Sequence, residues 1–266
     1  MYSRVQLALK YVRYWLTASN GKGHAIHSPF VFEFVTEVLN DDRYYYCYTT
    51  IEQLRENLKL NTTELVLEDY GAGSRVHASY NRKIGAIASS SLKPKKFAQL
   101  LFRMVNFYQP KNILELGTSL GITTSYLASA DINIPVVTME GAKAVASVAR
   151  ENFRKLQLGN IEIIEGNFDD TLPSVISRQN CSVDFAFIDG NHREEPTIRY
   201  FEQLLLNTNE RSILVFDDIH WSSEMEAAWE YIKAHSSVTL TIDLFYIGIV
   251  FFRKEQKVKQ HFCVRF

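Results

Sequence analysis

The sequence predicts an α/β fold: a mostly parallel sheet covered on both faces by helices, with a helical region in front and an antiparallel hairpin at its C-terminal end. Three observations carry this. After Pro110, short apolar runs alternate with segments of helical period, the rhythm of successive βαβ units. The stretch "VTLTIDLFYIGIVFFRK" holds two strand-like runs with almost nothing between them, too little for a crossover helix, so they should pair antiparallel. The residues before Pro94 read as helices and loops only.

The chain has 266 residues, 46% hydrophobic and 22% charged, enough for one large domain with a smaller appended region. The expected division is a helical cap and linker over residues 1–92 and a cofactor-binding domain over 93–266. A net charge of -1 gives no global attraction to nucleic acid or to acidic membranes, so no nucleic-acid partner is expected. Cys47, Cys181 and Cys263 form no C-x-x-C pair, which suits a reducing cytoplasmic setting better than a disulfide framework.

At the N-terminus, Val5, Leu9, Val12 and Leu16 recur at helical spacing. Arg4, Lys10 and Arg13 interrupt the apolar run, so the segment is expected to pack on its own domain or on the mate in a homodimer, without membrane insertion. In "HSPFVFEFVTEVLND", Ser28 and Pro29 mark a helix start. "RYYYCYTT" reads as an aromatic cluster in a loop, and "IEQLRENLKL" as a helix. Phe97, Leu100, Leu101, Met104, Val105 and Tyr108 form the buried stripe of a further helix, which Pro110 ends. Strands follow at 112–116, 136–140, 161–166, 183–189 and 212–218. Ser223-x-x-Glu226 reads as a capping box opening the last helix, with Met225, Ala228, Trp229 and Ile232 on its buried face.

Two glycine-bearing loops compete for a cofactor. Such a loop needs a buried strand before it and a helix directly after it, because the helix N-terminus supplies free N–H groups. "NILELGTSLGITTSYLASA" meets both conditions; "EDYGAGSR" is followed by polar, basic sequence and does not. The latter is a plain turn or a mobile lid whose Asp69 and Arg75 meet a substrate. The spacing Gly117-x-x-x-Gly121 lacks the dinucleotide fingerprint, but Glu115, Glu140, Asp189 and Asp217 stand at the ends of four of the five parallel strands. Ligands of such sheets bind beyond the carboxyl ends of the strands.

"ILELGTSLG", "TMEG", "EGNFDD", "FIDGNH" and "FDDIHW", closed by "YIGIVFF", resemble a class I S-adenosylmethionine-dependent methyltransferase. More narrowly, the chain is similar to the catechol and caffeoyl-coenzyme A type of O-methyltransferase from Pro94 to Lys254. The resemblance implies a Rossmann-like methyltransferase fold with a seven-stranded sheet. It also implies methyl transfer from S-adenosylmethionine to an oxygen of a small-molecule acceptor. It places the backbone of Gly117, Thr118, Ser119 and Gly121 at the methionine portion, Glu115 near the ammonium, Glu140 on the ribose, and Asn167 and Phe168 at the adenine. Phe168 serves equally well as core packing. Asp189 falls at the cofactor too, and Asp189, Asp217 and Asp218 match the ligands of Mg²⁺ or another divalent cation in metal-dependent members. Asp218 stands where an Asn is typical, so metal dependence stays open.

Three groups are candidates for proton removal or acceptor contact. His192 or His220, just past the strand-end acids, is a candidate base beside Asp189. Trp221 walls the acceptor or staples the next helix. Lys95, Lys96, Arg82 and Arg75 are solvated helix ends or a pocket for an acidic acceptor. Two other readings compete with methyl transfer: a NAD-dependent oxidoreductase, disfavoured by the missing glycine and the terminal hairpin, and a catalytically inactive cofactor-binding regulatory module, disfavoured by the clustered acids.

Overall fold

The computed structural model describes residues 1–23, 26–68, 79–178 and 182–266. The chain opens with α1 (Arg4–Thr17), α2 (Pro29–Glu33, continued as a π-helical turn over Phe34–Leu39) and α3 (Tyr48–Lys59). A hairpin of β1 (Glu64–Glu68) and β2 (Ser79–Lys83) leads into α4 (Ile84–Ser91) and α5 (Lys95–Tyr108). The alternating part follows as β3 (Ile113–Leu116), α6 (Ile122–Ala130), β4 (Val136–Glu140), α7 (Lys143–Lys155), β5 (Ile161–Glu165) and α8 (Phe168–Ile176). It continues with β6 (Phe185–Ile188), α9 (Glu194–Leu205), β7 (Ile213–Asp217), α10 (Ser223–Ala234), β8 (Leu240–Asp243), β9 (Ile247–Phe251) and β10 (Gln260–Cys263).

Among the described residues the central sheet counts eight strands where seven were expected. The extra one, β10, lies parallel to β8, with Gln260 opposite Leu240. Its sequence "QHFC" has no apolar run, so only the ladder reveals it. β8 and β9 pair antiparallel, as their short connection requires, and β9 continues antiparallel onto β7. The hairpin β1–β2 corrects the reading of the first ninety residues as helices and loops.

Packing divides the chain into two compact units, residues 42–175 and residues 1–41 with 176–266, so each contains part of the N-terminal region. In the first, β3-β4-β5 run parallel. Its core joins Tyr48, Ile51, Leu54 and Leu58 of α3 and Ile84 and Ile87 of α4 to Ala98, Phe102, Leu120, Ile122 and Tyr126. "RYYYCYTT" is therefore core as well as loop: Tyr45 and Tyr48 both pack on Phe102, with ring centroids at 4.7 and 5.3 Å.

The second unit carries the strand order β10-β8-β9-β7-β6. Trp229 of α10 is buried against β9, and a Cβ at Gly248 would come within 2.6 Å of its indole, so that strand position must be glycine. The cap of α10 sits one residue before the expected Ser223: Ser222 Oγ accepts from the Met225 N–H at 3.2 Å. α1 forms as expected but presents the other face to the protein. Tyr14 and Ala18, with Leu7 and Tyr11, pack on Phe245, while Val5, Leu9, Val12 and Leu16 are exposed. Among the described residues, no helix is long and apolar enough to cross a membrane.

Candidate active site

The unit formed by residues 42–175 contains the expected cofactor loop. β3 is buried along its whole length, and the chain leaves it through a turn with positive φ at Gly117 (104°), Ser119 (48°) and Gly121 (81°). The N–H groups of Gly117 and Thr118 both donate to the Met139 carbonyl at 3.0 Å, and α6 starts directly after Gly121. Glu140 closes the turn from the end of β4. One of its oxygens accepts from the Ser119 N–H at 2.8 Å and the other from the Ala142 N–H at 2.9 Å. Burial pushes the Glu140 carboxyl above its ordinary range, against the pull of these amides.

Glu115 is fully buried, and its Oε2 accepts from the hydroxyls of Thr124 at 2.5 Å and Thr138 at 2.7 Å. It braces the junction of β3, α6 and β4 from beneath. Asn167 opens α8: its side-chain oxygen accepts from the Asp169 N–H at 3.1 Å, and its carbonyl accepts from the Thr171 N–H at 2.9 Å. Phe168 follows, half-buried.

The strand-end acids near the C-terminal half belong to the other unit. Asp189 follows the buried strand β6, and Asn191 and His192 then take positive φ of 67° and 27°. This backbone turns His192 back, so its Nε2 lies 3.4 Å from Asp189 Oδ1. Burial opposes its positive charge, but the hydrogen bond and charge of Asp189, with Asp217 and Asp218 adding to it, raise His192 above the usual imidazole value. One donor atom each from Asp189, His192 and Asp217 lie within 4.8 Å of one another. The resemblance implied Asp189, Asp217 and Asp218; the set brought together has an imidazole in place of the third carboxylate. Asp218 itself has φ 52°, and its N–H donates to the Tyr246 carbonyl at 2.6 Å.

His220 is in a different position. Its Nδ1 lies 3.0 Å from Glu226 and its Nε2 2.8 Å from Asp243, so both ring nitrogens are engaged. Burial opposes its charge, but the two carboxylates raise it above the ordinary value. Trp221 is 36% exposed, and its carbonyl accepts from the Tyr2 N–H at 3.1 Å.

Comparison with known proteins bears on the fold and on the family resemblance. Residues 114–219, from β3 to just beyond β7, match the family model described as a methyltransferase domain. This stretch is thus similar to a methyltransferase domain. The chain is 32% identical over 126 residues to a catechol O-methyltransferase of Niastella koreensis, covering 47% of this chain and 55% of that protein. It thus spans about half the length of that curated relative. Among solved structures, an O-methyltransferase of Bacillus cereus in complex with SAH aligns at TM-score 0.55 and 21% identity, covering 84% of this chain and 97% of that one. An SAH-bound methyltransferase of Podospora anserina aligns at 0.59 and 12% identity, covering 96% and 98%. At such identities these two show the shared fold, the mostly parallel sheet with its antiparallel strand β9.

Within the matched residues 114–219, Gly117, Thr118, Ser119, Gly121 and Glu140 are drawn into one turn. Asp69 and Arg75 lie outside the described residues, and Arg82 is occupied by the Ser90 hydroxyl at 2.5 Å. Sequence reasoning missed Asn152, a buried residue of α7 whose amide donates to the Leu120 carbonyl at 2.9 Å and so fixes the loop from behind. Its signal is a polar residue on the otherwise apolar face of Val145, Ala149 and Phe153. Glu140→Ala should weaken binding of S-adenosylhomocysteine by about 10–100-fold, because a charged acceptor and the brace on Ser119 go together. Calorimetric titration of the variant beside wild type checks this; an unchanged affinity would free Glu140 of any ligand role.

Proposed function

We propose that this chain is an S-adenosylmethionine-dependent methyltransferase that transfers the methyl group to an oxygen of a small-molecule acceptor. The observation that carries it is the Gly117–Gly121 turn, with its three left-handed residues, feeding straight into α6 and tied to Glu140. A carboxylate offers about four acceptor positions, so Glu140 keeps capacity for ribose hydroxyls after taking two amides. In this reading the backbone of Gly117, Thr118, Ser119 and Gly121 approaches the methionine portion, and Glu115 holds the turn in place and supplies negative charge near the ammonium. Asn167 and Phe168 border the adenine. S-adenosylmethionine supplies a methyl group on a sulfonium, open to in-line displacement by the acceptor oxygen.

The chain's own task is to align that oxygen and to remove its proton. His192 is the group assigned to accept it: Asp189 orients the imidazole and stabilises the charge it gains. In place of that base role, Asp189, His192 and Asp217 make a chemically coherent donor set for a divalent cation, with Asp218 adding charge beside it. One imidazole among carboxylates suits Mn²⁺ at least as well as Mg²⁺. Bound there, such a cation would lower the pKa of an acceptor hydroxyl. Trp221 is assigned to the acceptor's surroundings on its exposure and its place three residues beyond Asp218.

Residues 1–92 are assigned a capping role in acceptor choice, while sharing their core with the residues that follow. The test is transfer of isotope-labelled methyl to a panel of hydroxylated small molecules, catechol first, with Mg²⁺, with Mn²⁺ and with chelator. Labelled product from at least one acceptor supports the reading, and conversion of none of a broad panel counts against it.

A homodimer in the cytoplasm belongs to the same reading. The exposed stripe Val5, Leu9, Val12 and Leu16 on α1 supports it, because such an apolar row is stable in water when covered. Leu9→Glu should halve the mass measured by light scattering. An equal mass for both proteins would remove α1 from any dimer contact.

A further inference from the structure

His220 closes a circuit around the Asp217–Asp218 turn, entirely within the unit formed by residues 1–41 and 176–266. Its Nε2 meets Asp243 Oδ2 at 2.8 Å, and the other oxygen of Asp243 accepts from the Phe245 N–H at 2.8 Å. The next residue, Tyr246, presents its carbonyl to the Asp218 N–H at 2.6 Å, and Asp218 leads back to His220 two residues later. The Phe245 ring stacks on the imidazole at 5.2 Å. A carboxylate only accepts, so two carboxylates on the two ring nitrogens require both nitrogens to donate. An imidazole held this way has no free lone pair for a substrate proton.

The circuit has an extension. Glu226, which takes the other nitrogen of His220, also accepts from Lys10 Nζ at 2.9 and 3.0 Å and from the Tyr2 hydroxyl at 2.7 Å. The Tyr2 N–H donates to the carbonyl of Trp221, the residue after His220. The start of α1 is thus fastened to the turn that carries Asp218, by side chains and by backbone together.

We propose that His220 is a positioning residue and not the proton acceptor, and that Glu226 couples the amino-terminal helix to the Asp217–Asp218 turn through it. Methyl transfer then depends on Lys10 and Tyr2, neither of which need touch a reacting atom. This rests on the methyltransferase reading, so the test includes a readout independent of turnover.

The experiment compares wild type, Lys10→Met, His220→Gln and the double variant. His220→Gln should lower kcat by about tenfold with cofactor affinity within about twofold; loss of a general base would instead cost about 10²–10⁴, and that result would overturn the assignment. Lys10→Met should lower kcat severalfold, and the double variant should be no slower than His220→Gln, because both act through Glu226. Multiplying effects would refute the coupling. Hydrogen exchange at the amides of Asp218 and Trp221 should quicken in Lys10→Met, a partly exposed substitution compatible with folding. Exchange equal to wild type would overturn the coupling whatever the activity. A wild-type chain that methylates nothing would sink the functional reading, and exchange would still decide the circuit.

Discussion

Asp189→Asn is expected to lower the rate of methyl transfer by about 10²–10⁴-fold, the range in which removal of general acid–base assistance falls. Either role is impaired. His192 as base loses the carboxylate 3.4 Å from its Nε2, which both orients the ring and stabilises its charge. With a cation in place instead, the donor group of Asp189, His192 and Asp217 loses one of its two charged oxygen ligands. Stability should stay near level, because losing the His192 contact and relieving carboxylate repulsion oppose each other. Asp189, Asp217 and Asp218 are clustered carboxylates, and removing one relieves repulsion in the absence of a cation. Single-turnover kinetics alongside a thermal melt tests both halves. A melt lowered by many degrees, with the rate falling only in proportion to the folded fraction, would make Asp189 a structural residue.

Gly121→Val is expected to cost about 2–5 kcal/mol of stability and to abolish measurable cofactor binding, from left-handed strain and overpacking together. The residue sits at φ +81°, a region that β-branched side chains scarcely visit. An added Cβ would stand 2.5 Å from one ring atom of Phe153, 2.8 Å from another and 3.3 Å from Ala149. Both neighbours are buried, so relief would push α7 away from the loop that Asn152 holds. Gly159 supplies the control: nothing lies within 4 Å of its added Cβ, so Gly159→Ala should be close to neutral. Urea denaturation of the two variants measures the contrast, and equal midpoints would show that the turn tolerates a side chain.

The strands β3 to β7 were legible because each is a short apolar run ended by a polar or acidic residue, and that ending also announced Glu140, Asp189 and Asp217. Of the elements missed, β1 is such a run too, but β2, α4 and β10 have the opposite character. "SYNRK" of β2 and "QHFC" of β10 have no apolar run, and backbone ladders to partners elsewhere in the chain hold them. "IGAIASSS" of α4 is too rich in small residues to show a clear stripe, though its Ile84 and Ile87 are core. The apolar stripe of α1 misled in a different way: its period was right, and its aromatic face won the contact with the protein.

At the site, local sequence showed which residues end strands but not what they touch. Nothing near His220 in the chain announces Asp243, and nothing near Glu226 announces Lys10, 216 positions away. Pairing of that kind arises only when the fold brings β8 and α1 beside the β7–α10 turn. It is why two histidines that looked equivalent separate into one beside the strand-end acids and one clamped between carboxylates.

The central claim is that the Gly117–Gly121 turn and Glu140 receive S-adenosylmethionine. Calorimetric titration of the full chain with S-adenosylhomocysteine, and separately with NAD, tests it most directly. The account predicts one-to-one binding of S-adenosylhomocysteine that Glu140→Ala weakens, with no heat from NAD. Binding of NAD alone, or S-adenosylhomocysteine binding indifferent to both Glu140→Ala and Gly121→Val, would contradict it.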